Sequence, residues 1–140
     1  MARLSVNGID DLMLSLQEIA EIPDDVAETM LEAEAKVVEE AQVFYGVAML
    51  KGKYSTGMTA ASIGRTGMKL GPGGTLQMYV YPQGTNDRGE RNAAVAFVNE
   101  YGKRSQAPRP FIATANEAAA TPAVEEAAKI YDGFLKSKNL

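Results

Sequence analysis

Apolar positions along this chain keep a helical period at both ends and lose it in the middle. From Asp24 to Leu50, the residues Val26, Met30, Ala33, Val37, Ala41, Phe44 and Ala48 recur at steps of three and four, the spacing that lines one stripe of a helix. The spacing predicts one long helix over 24–50. Asp24, Asp25 and Glu28 stand at its start, where carboxylates meet the positive end of the helix dipole. Lys51 and Lys53 follow its end, with Gly52 as the stop. The stripe is rich in alanine, so a partner helix can approach closely. Ahead of it, Ile9, Leu12, Leu16 and Ile19 predict a shorter amphipathic helix over 9–20, capped by Asp10 and ended by Pro23.

Residues 51–61 read as a loop. Ser62 to Leu70 and Thr75 to Tyr81 read as two strands joined by the turn Gly71-Pro72-Gly73-Gly74. In the second, Leu76, Met78 and Val80 face one way and Gln77, Tyr79 and Tyr81 the other. Residues 82–92 are polar and glycine-bearing, the composition of an exposed, mobile loop. Ala93 to Val98 reads as a third strand, and residues 103–110 as a second extended loop stiffened by Pro108 and Pro110. From Phe111 the helical period returns. Thr121-Pro122 followed by Glu125 is a helix start, so either a kinked helix or two segments are expected there. Its apolar face would be Val124, Ala127, Ile130 or Tyr131, and Phe134. The fold class is α+β: a small antiparallel sheet of three to four strands, packed against a long N-terminal helix and a C-terminal helix. The 140 residues suit a single domain over 1–140.

Charge changes the picture because it is unevenly placed. Residues 1–50 carry 2 basic and 11 acidic groups, residues 51–110 carry 9 and 3, and the last 30 carry 3 and 4, for a net charge of −4. Acidic helix faces are often merely solvated. The sharper expectation is that opposite-signed faces meet, within a subunit or between neighbours. The chain has no cysteine and no histidine. Disulfides and thiolate metal sites are thereby excluded, and the commonest general base and metal ligand are missing. No run of about 18 apolar residues predicts a membrane span. The first nine residues, with one arginine and no apolar run, are not expected to form a signal peptide.

Apparent catalytic motifs dissolve on inspection. Between Gly46 and Gly52 lie five residues where a phosphate-binding loop needs four, and Tyr54 stands where its metal-binding hydroxyl belongs. The acid pairs Asp10-Asp11, Asp24-Asp25, Glu39-Glu40 and Glu125-Glu126 fall on expected helix faces or first turns. Ser55 and Ser62 have no base to activate them. No enzyme and no cofactor is therefore expected. Lys103, Arg104 and Arg109 form a basic cluster beside Tyr101 and Phe111, a mixture that suits either a protein-contact loop or single-stranded nucleic acid. Overall acidity favours the contact loop.

Two segments resemble a known family. Ser55-Thr56-Gly57-Met58-Thr59-Ala60-Ala61-Ser62-Ile63 resembles the Asp-Thr-Gly-x-Leu-x-x-Ser-Ile segment that follows the long helix in small neck or tail-completion proteins of long-tailed bacteriophages. Val98-Asn99-Glu100-Tyr101-Gly102, with Ala107-Pro108-Arg109-Pro110-Phe111-Ile112-Ala113-Thr114-Ala115, is similar to that family's Val-Glu-(Phe/Tyr)-Gly-Thr and Pro-x-Arg-Pro-Phe-Leu-x-Pro-Ala segments. The opening Val6-Asn7-Gly8-Ile9-Asp10-Asp11-Leu12 is similar to the family's start. Ser55, Thr59-Ala60 and Lys103 depart from the pattern; the glycines and the Arg-Pro-Phe triplet keep it. Gly57 and Gly102 suit chain reversals that a side chain would hinder.

The resemblance implies a structural virion protein of the neck or tail end, assembled in the bacterial host cytoplasm. It would form a homo-oligomeric ring that completes the tail and joins it to the DNA-filled head. Six-fold symmetry is the expectation for a tail ring, twelve-fold the alternative at the head side. Its partners would be itself, adjacent neck, connector or tail proteins, and genomic DNA passing through the bore without sequence-specific binding; no membrane is involved. The subunit contact is expected at Tyr101, Lys103, Arg104, Arg109, Pro110 and Phe111, because a rigid charged fork with an aromatic anchor has the make-up of an interface hot spot. Loops 51–61 and 82–92, with Lys53, Tyr54, Arg88 and Arg91, are expected to touch neighbouring rings. The alternative is a small prophage-encoded module that binds nucleic acid or a host protein through its basic middle.

Overall fold

The computed structural model describes residues 22–52 and 55–138. The helix expected over 9–20 lies outside them, as do Lys53 and Tyr54. In chain order the elements are α1 (Asp24–Met49), α2 (Met58–Ala61), β1 (Ile63–Arg65), β2 (Lys69–Leu70), a 3-10 turn (Pro72–Gly74), β3 (Leu76–Gln77), β4 (Val80–Pro82), α3 (Asn92–Tyr101) and α4 (Phe111–Ser137). The fold is α+β, with two long helices and a small antiparallel sheet.

The two long helices pack as an antiparallel pair. Gln42 Nε2 on α1 donates to Asn116 Oδ1 on α4 at 3.0 Å, and the Phe111 ring lies beside Gly46. The end of α1 therefore meets the start of α4. From α4 the pair buries Ala115, Ala119, Ala123 and Ala127, one per turn, and from α1 Ala35, Gln42 and Gly46. These small side chains let the backbones close up. A Cβ on Gly46 would sit only 3.1 Å from the Ala60 Cβ and 3.5 Å from the Phe111 ring. Close approach, rather than apolar content, thus selects the inward face of α1. The stripe expected from the sequence is rotated off it: Val26 to Ala41 are half-buried flanks, and Phe44 and Ala48 are exposed.

Helix α4 runs unbroken through Pro122, so the expected break is absent. Proline removes the N–H that would bond the carbonyl four residues back. Here that carbonyl belongs to Ala118, and both Ala118 and Pro122 are exposed, so the freed oxygen lies on the solvent side of the helix. Val124, expected on the apolar face, is exposed, whereas Ala127 and Phe134 are buried as expected. Pro122→Ala should restore the missing bond and stabilise the fold by about 1–2 kcal/mol, read as a raised midpoint in chemical denaturation.

The hairpin forms with a flaw at Gly67. Ile63, Gly64 and Arg65 pair with Pro82, Tyr81 and Val80, and Lys69 and Leu70 pair with Gln77 and Leu76. Between the two ladders three residues, Thr66–Met68, oppose two, Met78 and Tyr79, which is a β-bulge at Gly67. Thr66 bridges it: its N–H donates to the Tyr79 carbonyl, and its hydroxyl accepts from the Tyr79 N–H, both at 2.9 Å. Arg65 then ties the hairpin to α1, its Nε 2.8 Å from Glu39 Oε2.

The third strand is a helix instead. Over Asn92–Tyr101 the buried residues are Asn92, Ala96 and Glu100, one every fourth position. A six-residue apolar run cannot distinguish a strand from a buried helix segment, and here the helical period of the flanking polar residues decides. The loop before it is exposed as expected but tied down. Asn86 Oδ1 accepts from the N–H groups of Arg88 and Glu90, each at 3.0 Å. The buried Asn92 side chain donates to the Gln83 carbonyl at 2.8 Å.

The main core lies at the joint of the helix pair. Ile63, Ala96 and Phe111 form its centre, with Val43, Tyr45, Met49, Leu50, Val80 and Ile112 packed around them. Five elements converge there, which places the loops after α1, before α3 and after α3 at one end of the molecule. No helix among the described residues is long and apolar enough to cross a membrane.

Candidate subunit interface

The joint is built from the two segments singled out in the sequence. Glu100, buried near the end of α3, accepts the N–H of Ile112 on one carboxylate oxygen and that of Ala113 on the other, both at 2.9 Å. The first N–H groups of a helix have no intrahelical partner, so Glu100 caps α4 from another element. Helix α3 ends at Gly102 with φ +76°, and the Gly102 N–H closes on the Val98 carbonyl at 2.8 Å. A Cβ on Gly102 would lie 2.8 Å from the Gln106 carbonyl oxygen and 2.9 Å from the Pro108 nitrogen. Glycine is required there twice over, by conformation and by space. Gly57, the other expected reversal, opens α2 at φ +77°.

The loop between α3 and α4 is folded against α3 rather than free. Lys103 and Gln106 exchange backbone bonds at 2.9 and 3.0 Å, Gln106 Nε2 donates to Asn99 Oδ1 at 2.9 Å, and the Arg109 N–H donates to the Asn99 carbonyl at 2.6 Å. These bonds aim the expected contact residues in three directions. Phe111 points inward and is 0% exposed. It plugs the subunit's own core, which corrects its assignment as a surface anchor: a fully buried ring cannot also be presented to a neighbour. Arg109 is half-buried and lays its guanidinium over Gly52. Tyr101, Lys103, Arg104 and Pro110 are exposed.

An aromatic surface does exist, on α3 rather than at Phe111. Phe97 and Tyr101 on α3 are 64% and 67% exposed, with ring centroids 4.8 Å apart. Reading Ala93–Val98 as a strand hid this pair, since residues four apart touch on a helix but stand about 13 Å apart along a strand.

Beside the pair lies an open cleft of about 700 Å³, bounded by the end of α1, residues 51–52 and 55–60, the loop at 86–90, helix α3 and residues 103–109. Three regions expected to make contacts therefore converge on one feature. Lys51, Arg88, Lys103 and Arg109 line it with Asp87 and Glu90, over a floor that includes Val47, Leu50, Met58 and Val98. Arg91 and Arg104 are exposed outside that lining.

Ion pairs among the described residues are Arg65–Glu39 and Lys129–Glu126. In the second, the hydrogen bond that Lys129 donates to Glu126, and then the Glu126 charge, hold the exposed Lys129 ammonium above its ordinary pKa. None of the cations of the cleft is in either pair.

No family model, curated protein or solved structure matches this chain. Its function must therefore be argued from the site. Among the described residues no group of three or more carboxylates gathers as metal ligands. In the cleft, the Ser55 hydroxyl donates to the Leu50 carbonyl and the Thr56 hydroxyl accepts from the Met58 N–H, so both serve the local turn. What the surroundings offer is cations, an apolar floor and an exposed aromatic pair, which are means of contact.

Proposed function

We propose that this chain is a structural subunit of the neck or tail end of a long-tailed bacteriophage, working as a ring that completes the tail and joins it to the filled head. On this reading it is not an enzyme and uses no cofactor. The virion is its place of action, and DNA passes its bore without sequence-specific binding.

One observation carries the reading. Exposed aromatic rings and unpaired cations collect at a single end of the molecule, around a joint formed by the segments that resemble the neck and tail-completion proteins. A surface so basic cannot pair with its own likeness, because like charges would face each other. Its partner must be a different surface, and repeated contacts between unlike surfaces close into rings when the rotation permits. Six copies are the favoured number for a tail ring, twelve the alternative.

Purified protein in negative stain should show closed rings, and tails lacking the protein should fail to join heads. Protein that stays monomeric at high concentration and is missing from purified particles would end this proposal. Phe97→Ala with Tyr101→Ala removes exposed rings only. It should cost under about 1 kcal/mol of stability yet reduce ring assembly, as counted in micrographs; undiminished assembly would remove the α3 face from the interface.

The exposed Phe97–Tyr101 pair beside Lys103 and Arg104 also favours a second reading, a module that binds single-stranded nucleic acid by stacking and charge. Salt-dependent DNA binding by a monomer is its mark.

A further inference from the structure

We infer that the cation-lined cleft is a socket for the acidic start of α1 in a second copy of the chain. This rests on the ring reading and names the two surfaces that meet.

Two sets of charges lie outside both ion pairs. Lys51, Arg88, Lys103 and Arg109 line the cleft and take part in neither ion pair. At the far end of α1, Asp24, Asp25, Glu28 and Glu32 are exposed and equally without an ion pair. Spacings of three and four put Asp25, Glu28 and Glu32 on one face. Among the described residues, Lys36 lies one turn further on, Arg65 is engaged by Glu39 and also donates to the Glu32 carbonyl at 3.4 Å, and the antiparallel α4 brings Lys129, engaged by Glu126, and Lys136 to the same end. The helix dipole accounts for Asp24 and Asp25 in the first turn, but its effect fades before Glu28 and Glu32.

Distance then rules out mutual service within one subunit. Gly46 lines the cleft, and at about 1.5 Å of rise per residue the row from Asp24 to Glu32 lies roughly 20–33 Å away along the helix. Salt screens charges over about 8 Å. Within a copy the two clusters scarcely feel each other; across a head-to-tail contact they can touch.

The cleft also favours protein over nucleic acid. Asp87 and Glu90 stand among its cations and would repel a phosphate chain. Its floor is aliphatic, while the stacking rings Phe97 and Tyr101 are not part of its lining, so bases would find no platform inside it. An amphipathic helix end carrying carboxylates suits both the cations and the floor.

The test uses two full-length variants. Arg88→Glu with Lys103→Glu reverses the socket, and Glu28→Lys with Glu32→Lys reverses the acidic row. All four positions are exposed, and circular dichroism checks that both variants fold. Each alone should self-associate about 100-fold more weakly than the unaltered chain, since like charges now face each other. Mixing the two should restore association, seen by native mass spectrometry, because an intact socket then meets an intact row. Raising salt to 1 M should weaken assembly of the unaltered chain. Unaltered assembly by either variant alone, or a mixture that stays monomeric, overturns the inference and leaves the ring reading standing. A chain that never self-associates, but binds labelled single-stranded DNA in a way that Lys103→Glu abolishes, overturns both.

Discussion

Phe111→Ala should lower the stability of the fold by about 3–5 kcal/mol, the cost of replacing a fully buried aromatic ring with a methyl group and leaving its cavity. Phe111 is 0% exposed and sits where β1, α3 and the two long helices meet. Few neighbours can collapse into the space, because Gly46, Ala60 and Ala96 around it are small and held by backbone packing. For a chain of this length the loss corresponds to a fall in Tm on the order of 10 °C or more, out of a total stability of about 5–15 kcal/mol. Phe111→Leu keeps most of the volume and should cost about 1.5 kcal/mol or less. The contrast with Arg109→Ala separates core from contact. Arg109 offers its guanidinium to the cleft, so its loss should impair assembly while thermal melting stays within about 0.5 kcal/mol of the parent. Equal melting of the Phe111→Ala and parent proteins would mean that the ring does not fill the core as the structure has it.

The same triplet shows how far the sequence could be read. Arg109-Pro110-Phe111 stood out correctly as a place where something rigid and aromatic matters. Composition could not say that the ring turns inward and the guanidinium outward. That depends on Asn99 and Glu100, whose bonds to residues 106–113 aim the segment and which carried no signal of their own as residue types. The long helices were legible because their period persists over more than twenty residues, and the hairpin because glycine and proline mark its turn. Ala93–Val98 was not: six apolar residues fit a strand as well as a helix, and the error concealed Phe97 and Tyr101 as neighbours. The inward face of α1 was misjudged for another reason. Hydrophobic stripes predict burial where large side chains fill the interface, but an alanine row on α4 demands small ones, so Ala35 and Gly46 went in and Phe44 stayed out. The uneven charge was visible from the start. Its sense required knowing that the loops after α1, before α3 and after α3 gather at the end of α1 away from Asp24 to Glu32.

Glu100→Ala should cost about 2–3 kcal/mol, because two charge-assisted hydrogen bonds are lost and two part-buried helix N–H groups are left without that acceptor. Glu100→Gln keeps the shape and one carbonyl oxygen but loses the charge that faces the positive end of α4, so a smaller loss, about 1–1.5 kcal/mol, is expected. The two variants distinguish a cap from mere filling: if Glu100 only occupied space, glutamine would be neutral. The loss should also be local before it is global. Amide exchange at Ile112 and Ala113 should quicken in Glu100→Gln more than exchange in the middle of α1, since the N–H groups concerned are those the carboxylate holds. Helix α4 carries Phe111 into the core and residues 103–109 reach the cleft through the same joint, so loosening this cap should also disorder the surface on which assembly depends. Glu100→Gln is therefore expected to assemble less well than its modest loss of stability would suggest, and normal ring yield from it would detach the joint from the interface.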